Sequence, residues 1–327
     1  MLPVDITRTS HVAYRVTNLD AASEFYVDRV GFVETARDAH HLYLRGLEDR
    51  VHHNLVLILA DRPGFDHVAF RVRRSNDLDT LAEWCNSQSL SHHWTDHSET
   101  GVGKSLRIID PFGFPVEFIH EVTPVEWNLQ RFDAYHGAEV MRLDHVNYVT
   151  PKITDAYRWY TEHLGFECSE YTVSQEPEGE RIWGVWLARK GTSHDLAIAN
   201  GVGPRMHHAS FIAASKESLL HVADVLAATG YHTNLERGPG RHGTTNAFFL
   251  YLRDPDGNRI ELFTGDYLRA DPDLKPIAWN LDDPRRATFW GSEAPARWFN
   301  ETMDVFSWGE DTPIPTTASP LRDRPKS

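Results

Sequence analysis

Asp144-His145-Val146-Asn147-Tyr148-Val149 places a histidine at the head of a short apolar run, and related runs occur at three other places. They are Ser10-His11-Val12-Ala13-Tyr14-Arg15-Val16, Asp66-His67-Val68-Ala69-Phe70-Arg71-Val72 and His207-His208-Ala209-Ser210-Phe211-Ile212. Their β-branched and aromatic content predicts four strands. The elements after each run repeat as well. The first leads into a helix-like stretch over 19–30 that ends at Gly31-Phe32, then strands over 41–47 and 53–60. The second leads into a helix over 76–89 and into strands 105–110 and 115–121, which flank the turn Asp110-Pro111-Phe112-Gly113.

The second half has the same order. A helix over 154–164 ends at Gly165-Phe166, and strands over 182–188 and 194–199 come next. After the fourth run come a helix over 215–229 and two strands, 247–253 and 259–264, around Asp254-Pro255-Asp256-Gly257. Gly31, Gly165 and Gly230 sit where helices end on a left-handed residue. The two Asp-Pro-x-Gly segments are turn signals between strands. Spacing agrees: His11 to His67 is 56 residues and His67 to Glu117 is 50, against 63 from His145 to His208 and 53 from His208 to Glu261. The expected fold class is α+β, with four βαβββ modules paired into two domains, 1–136 and 137–268. A tail, 269–327, carries Trp279, Trp290, Trp298 and Trp308 among prolines and charges. It reads as an irregular cover held by aromatic anchors, its last dozen residues disordered.

The chain has 327 residues, enough for two domains with a sizeable core. Its 33 basic and 47 acidic residues leave a net charge of −14, which argues against nucleic acid or an anionic membrane as the main partner. Cys85 and Cys168 form no CxxC pair and read as buried thiols in a reducing compartment. No secretory signal opens the chain and no apolar run approaches a membrane span, so a cytoplasmic protein is expected.

Two neutral imidazoles and one carboxylate on rigid strands, with coordination positions left open, are what a non-haem iron(II) oxygenase needs. His145, His208 and Glu261 form such a set, although each alone would read as an ordinary satisfied polar residue.

The segments Leu-Asp-His145-Val-Asn147, Gly-Pro-Arg-Met-His-His208, Glu236-Arg-Gly-Pro-Gly-Arg-His242-Gly243, Asn246-Ala-Phe-Phe-Leu-Tyr251 and Asp254-Pro-Asp-Gly-Asn-Arg-Ile-Glu261 carry a resemblance over nearly the whole chain. In them the chain resembles the type I extradiol catechol dioxygenases of the vicinal oxygen chelate superfamily, and within them the branch acting on homoprotocatechuate (3,4-dihydroxyphenylacetate). The resemblance implies cleavage of a catechol ring beside its hydroxyls, with O2 as co-substrate and Fe(II), or alternatively Mn(II), as cofactor. It implies His194 as the acid–base histidine, Tyr251 as a hydrogen-bond partner of a substrate oxygen, and His242 lining the pocket. Asn147 and Trp186 would shape the oxygen and substrate pockets. Arg237 and one of Arg285 or Arg286 would receive a substrate carboxylate, for which a guanidinium fork is suited.

His11, His67 and Glu117 repeat the triad in the first half, so the halves compete for the metal. Their surroundings favour the second. Asn147 follows His145 by two residues, while its counterpart is Ala13; Tyr251 precedes Glu261 by ten, while its counterpart is Arg107, a cation that would stand beside a dication. His53 keeps the position of His194. The first half is therefore expected to hold no metal and to satisfy its polar residues by hydrogen bonds. The segment from His92 to His97 reads as a surface stretch in a loop. A small catechol substrate and a homo-oligomer, such as a tetramer, complete the expectation. The rivals are an extradiol dioxygenase for a bicyclic or alkyl catechol, and a non-catalytic small-molecule-binding protein of the same superfamily.

Overall fold

The computed structural model describes residues 4–177, 179–271 and 273–319. Eight strands form the front sheet: β1 (Ile6–Val16), β2 (Val33–Arg37), β3 (His41–Arg45), β4 (Leu55–Leu59), β5 (Gly64–Val72), β6 (His92–Thr95), β7 (Ser105–Ile109) and β8 (Pro115–Ile119). Ten form the rear sheet: β9 (Val140–Thr150), β10 (Glu167–Glu176), β11 (Gly179–Ala188), β12 (Leu196–Asn200), β13 (Arg205–Ala213), β14 (Leu235–Arg241), β15 (Phe248–Arg253), β16 (Arg259–Thr264), β17 (Ile277–Asn280) and β18 (Trp290–Gly291). The front order is β2-β3-β4-β1-β5-β8-β7-β6. The rear order is β10-β11-β12-β9-β13-β16-β15-β14 with β17 and β18 added at its edges. Two modules thus meet at β1/β5 in front and at β9/β13 behind, both antiparallel. The duplicated α+β architecture expected from the repeat is the one observed.

The helices are α1 (Leu19–Ser23), α2 (Asn76–Ser87), α3 (Ile153–Glu162), α4 (Lys216–Ala228) and, in the tail, α5 (Ala296–Asn300). Asn18 caps α1 by accepting from the backbone N–H groups of Asp20 and Ala21. The predicted helix over 19–30 differs in form, since α1 continues as a π-helix over Glu24–Val30. It stops at Gly31, whose φ of 98° suits a residue without a Cβ.

Between the sheets the two halves exchange tyrosines. Tyr26 of the front half donates its hydroxyl to Asp254, and Tyr160 of the rear half donates to Asp110. These are the aspartates of the two Asp-Pro-x-Gly turns. Tyr14 of the front donates to the Arg259 carbonyl and accepts from the Ala209 N–H, while Tyr148 of the rear stacks on Phe114 at 3.8 Å. One apolar core runs through both halves, from Val12 and Phe65 to Phe211 and Leu262.

Three expectations need correction. The segment read as a loop from His92 onward is an edge strand paired with β7. The stretch 238–243 around His242, whose Gly-Pro-Gly reads as a loop, is a strand as far as Arg241: β14, paired with Tyr251's strand β15. Cys168 is half-buried rather than buried; both thiols are free and Cys85 is buried. The tail is largely irregular, but β17 and β18 close both edges of the rear sheet. The disorder expected for the last dozen residues falls largely outside the described ones. Among the described residues no helix is long and apolar enough to cross a membrane.

Candidate metal centre

Sheet register puts the predicted residues in two transverse rows on one face. In the first, His145 on β9 pairs with Ser210 on β13, Ser210 with Glu261 on β16, Glu261 with Tyr251 on β15, and Tyr251 with Arg237 on β14. The second runs Trp186, Ala197, Asn147, His208 across β11, β12, β9 and β13. Directly paired residues share a face of a pleated sheet, so residues from seven strands converge there. His194 and His242 enter from loops beside β12 and β14.

His145, His208 and Glu261 each offer a ligand atom, all within 4.8 Å of one another. Glu261 Oε2 stands 3.2 Å from His145 Nε2 and 3.3 Å from His208 Nε2, and all three side chains are buried. Their outer atoms are anchored. His145 Nδ1–H donates to Asp144 at 2.9 Å, and Ser210 donates to Glu261 Oε2 at 2.8 Å. His207 bridges Trp298 and His208: its Nε2–H donates to the Trp298 carbonyl, leaving Nδ1 to accept from His208 Nδ1–H at 2.7 Å. Both ligand rings thereby turn Nε2 toward Glu261. For His145, burial lowers the pKa, but the hydrogen bonds to Asp144 and Glu261 outweigh it and raise the pKa to about 9. Two imidazole nitrogens and one carboxylate oxygen are a donor set suited to a first-row divalent ion, so the residues present fit one.

Burial pushes the Glu261 carboxyl upward, but His145, His208 and His242 outweigh it and hold the pKa well below the usual range. Burial pushes His208 down to about 4. His194 lies against His145 with ring centroids 3.8 Å apart. Burial, then the neighbouring His145 and Lys190, hold it well below 6.5, so its ring is neutral at pH 7. Its Nδ1 is bonded to Ser193 at 2.7 Å, while its Nε2 is buried without a hydrogen-bond partner.

Tyr251 donates its hydroxyl to His242 Nε2 at 3.0 Å, and His242 Nδ1–H donates to the Ala287 carbonyl. Asn147 is half-buried with an unpartnered Oδ1, and Trp186 is half-buried. Arg237 is buried over the rings of Phe249 and Trp298, bonded to Thr288 and the Ala287 carbonyl, and its Nε has no partner. The arginine pair divides. Arg285 is exposed and spends its fork on Asp283, whereas Arg286 is half-buried and bonds the Leu281 carbonyl. A cleft of 450 Å³ lined by Lys152, Asp155 and Arg181 shares no residue with this centre.

Sequence reasoning missed Asp144, His207, Ser210 and Lys190. Lys190 ties the centre's backbone together, donating to the carbonyls of Asp144 and His194. The Asp-His pair that occurs as Asp66-His67 and again as Asp144-His145 was the available signal for Asp144.

Residues 142–262 match the family described as Glyoxalase/Bleomycin resistance protein/Dioxygenase superfamily. A manganese-dependent 2,3-dihydroxybiphenyl 1,2-dioxygenase of Geobacillus genomosp. 3 is 31% identical over 88% of this chain and 95% of its own. A metapyrocatechase of Geobacillus stearothermophilus is 28% identical over 95% of both chains. Among solved structures, the anaerobic complex of homoprotocatechuate 2,3-dioxygenase from Brevibacterium fuscum with 3,4-dihydroxyphenylacetate is 38% identical, with a TM-score of 0.92 over 97% of this chain and 98% of that one.

Proposed function

The chain belongs to the extradiol ring-cleaving dioxygenases of the glyoxalase and dioxygenase superfamily, metal-dependent enzymes acting on catechols; from this we propose that its substrate is a catechol with an anionic side chain, 3,4-dihydroxyphenylacetate foremost. Arg237 carries that reading. It is a buried guanidinium that makes no ion pair among the described residues, set in the same row as Glu261 and Tyr251. A buried cation costs free energy until an anion meets it. A carboxylate about one ring's length from the metal would meet it. Arg286 supports the same role through its half-buried position, and Arg285, already paired, does not.

His145, His208 and Glu261 are the proposed ligands, and iron(II) the proposed ion, with manganese(II) the alternative that the same donors accept. A bound divalent ion supplies Lewis acidity toward the two catechol oxygens and a place where dioxygen meets the ring. The remaining work falls to side chains. His194, with its Nε2 buried and unpartnered, would take a proton from the catechol and return it as the ring opens. Tyr251, whose proton lies toward His242, has lone pairs left to orient a substrate hydroxyl. Asn147 and Trp186, in the adjoining row, border the space left for the ring and for oxygen. Trp298 closes the opposite side over Tyr251 at 4.2 Å and helps exclude water.

A muconate semialdehyde would be the product. The test is anaerobic reconstitution with Fe(II) or Mn(II), followed by oxygen uptake and product absorbance over a panel of catechols. A higher kcat/KM for carboxylate-bearing catechols than for unsubstituted catechol is expected. Equal or better turnover of 2,3-dihydroxybiphenyl would favour the second reading, a bicyclic catechol, which draws on the manganese-dependent relative's name. Companion proposals are the division into 1–136, 137–268 and 269–327, a cytoplasmic location and a homo-oligomer.

A further inference from the structure

The front sheet gathers more donors than its sequence suggested. His11 on β1, His67 on β5 and Glu117 on β8 are joined by Glu99, which enters from the turn between β6 and β7. None is more than 5% exposed. His11 Nε2 stands 3.3 Å from His67 Nε2, 3.3 Å from Glu99 Oε2 and 3.4 Å from Glu117 Oε2, and His67 Nε2 stands 3.8 Å from Glu117 Oε2. Charge-assisted hydrogen bonds run at about 2.7–2.9 Å, so these separations are long for direct bonding. Three of these four separations match the edges of a tetrahedron, since ligands about 2.0–2.2 Å from a central ion lie about 3.3–3.6 Å from one another, and the His67–Glu117 separation of 3.8 Å is slightly longer.

The two carboxylates are split the same way. Their outer oxygens make true hydrogen bonds. Glu117 Oε1 accepts from Arg107 Nε at 2.7 Å and from Ser105 at 2.6 Å, and Glu99 Oε1 accepts from Arg107 Nη2 at 2.9 Å while also standing 3.2 Å from His67 Nε2. Their inner oxygens, Glu99 Oε2 and Glu117 Oε2, are buried and accept no hydrogen bond. Two orphaned anionic oxygens facing two imidazole nitrogens are an arrangement that a cation resolves. His67 Nδ1–H donates to Asp66 at 2.8 Å, which turns its Nε2 lone pair inward.

We propose that this cluster is a second divalent-cation site, closed and structural, holding a zinc-class ion through His11 Nε2, His67 Nε2, Glu99 Oε2 and Glu117 Oε2. Arg107 does not oppose it, because the guanidinium holds the outer oxygens and orients the carboxylates from behind. The charges balance: Glu99, Glu117 and Asp66 against Arg107 and a dication. Glu99 takes up the coordination space that the rear centre leaves for substrate. Ala13, Val56 and Tyr43 fill the floor, and Val102, Ala69 and Ile119 pack beside it, so no ring can enter. Four protein donors and no open position make a structural site rather than a catalytic one.

The test is metal stoichiometry on the full chain, stripped with chelator, reloaded with zinc(II) or cobalt(II) and gel-filtered. Two ions per wild-type chain are expected, and one in either His208→Ala or Glu99→Gln, the latter keeping ring cleavage. Cobalt in the front site should show the intense visible absorption of a tetrahedral ion, present in His208→Ala and absent from Glu99→Gln. One ion in the wild type, or a His208→Ala chain that takes none, overturns the proposal. So does a second ion that survives both Glu99→Gln and His11→Ala. Should Glu99→Gln fail to fold, the wild-type and His208→Ala counts decide alone.

Discussion

Across five neighbouring strands the rear sheet carries His145, Ser210, Glu261, Tyr251 and Arg237, and the front sheet carries His11, Ala69, Glu117, Arg107 and His93 in the same register. The next rows pair Trp186, Ala197, Asn147 and His208 with Tyr43, Val56, Ala13 and His67. Backbone, strand order and first imidazole are shared; what separates the two bowls is what fills them. In front, a guanidinium replaces the phenol, alanine replaces asparagine, valine replaces alanine, and Glu99 folds in from above. Behind, Asn147 and His194 keep unpartnered polar atoms around His145, His208 and Glu261. The tail covers each bowl with one tryptophan, Trp298 beside Tyr251 and His207, and Trp308 over His67 and Arg107. A duplicated scaffold therefore carries a buried His/His/Glu set in each half, and the residues that surround each set, rather than the set itself, distinguish the two.

The sharpest way to break this contrast is to remove matching ligands. Glu261→Gln or His208→Ala should drop ring cleavage to background, measured as oxygen uptake with the preferred catechol. Glu117→Gln or His67→Ala should lower thermal stability while leaving the turnover number of the folded fraction in place. Catalysis lost from the front variants at unchanged rear metal content would show that the bowls are not separable.

His194 and His53 test the contrast one step out. Both lie against the first histidine of their row, with ring centroids 3.8 Å and 4.7 Å apart. His194→Phe should slow turnover by about 10²–10⁴-fold, the usual worth of a positioned acid–base group, with metal content retained. His53→Phe should leave the rate alone. Loss of metal from His194→Phe would mean that this side chain is a ligand or a support for one.

Arg237 tests what the rear bowl selects. A hydrogen-bonded charge is worth about 1.5–3 kcal/mol, so Arg237→Met should raise KM for a carboxylate-bearing catechol by about 10- to 100-fold. KM for unsubstituted catechol should stay within a small factor. Equal losses for both substrates would assign Arg237 to packing over Phe249 and Trp298 instead.

Much of this organisation was legible in the sequence, for a physical reason. Central strands buried on both faces leave apolar runs, and the four histidine-headed ones repeat at intervals that only duplicated modules explain. The strands passed over, β2, β6, β10, β14 and the tail's β17 and β18, lie at or next to the sheet edges, where charged residues break the apolar pattern. Glu34 is exposed, while the carboxylates of Glu170 and Glu236 are buried in hydrogen bonds from Trp279 and Arg259. β14 even contains Gly-Pro-Gly, which reads as a loop until β15 pairs with it. Glu99 left no periodic signal, because it comes from an irregular turn and meets its partners only through the tertiary fold. Arg285 and Arg286 were inseparable as neighbours; burial, the Asp283 contact of the one and the Leu281 contact of the other tell them apart.

The two Asp-Pro-x-Gly turns are where front and rear kept the same chemistry, so they should respond alike to pH, displaced by about one unit. Burial raises Asp110 from 3.8 to about 6 and Asp254 from 3.8 to about 7. Each accepts a tyrosine hydroxyl from the opposite half as well as backbone N–H groups of its own turn. A carboxyl whose folded pKa exceeds its unfolded value binds its proton more tightly in the native state. Its contribution is complete below the unfolded pKa and is lost as pH rises through about 6 for Asp110 and about 7 for Asp254. The thermal midpoint should therefore fall from about pH 4 to pH 7 and level off above, by a few degrees at most for each kcal/mol lost. Asp254→Asn should remove the fall above pH 6 and reduce it below, and Asp110→Asn should reduce it only below pH 6, whatever either change does to the midpoint itself. A wild-type slope that neither variant alters would place the titrating groups elsewhere and leave the cross-domain tyrosines as neutral hydrogen bonds only.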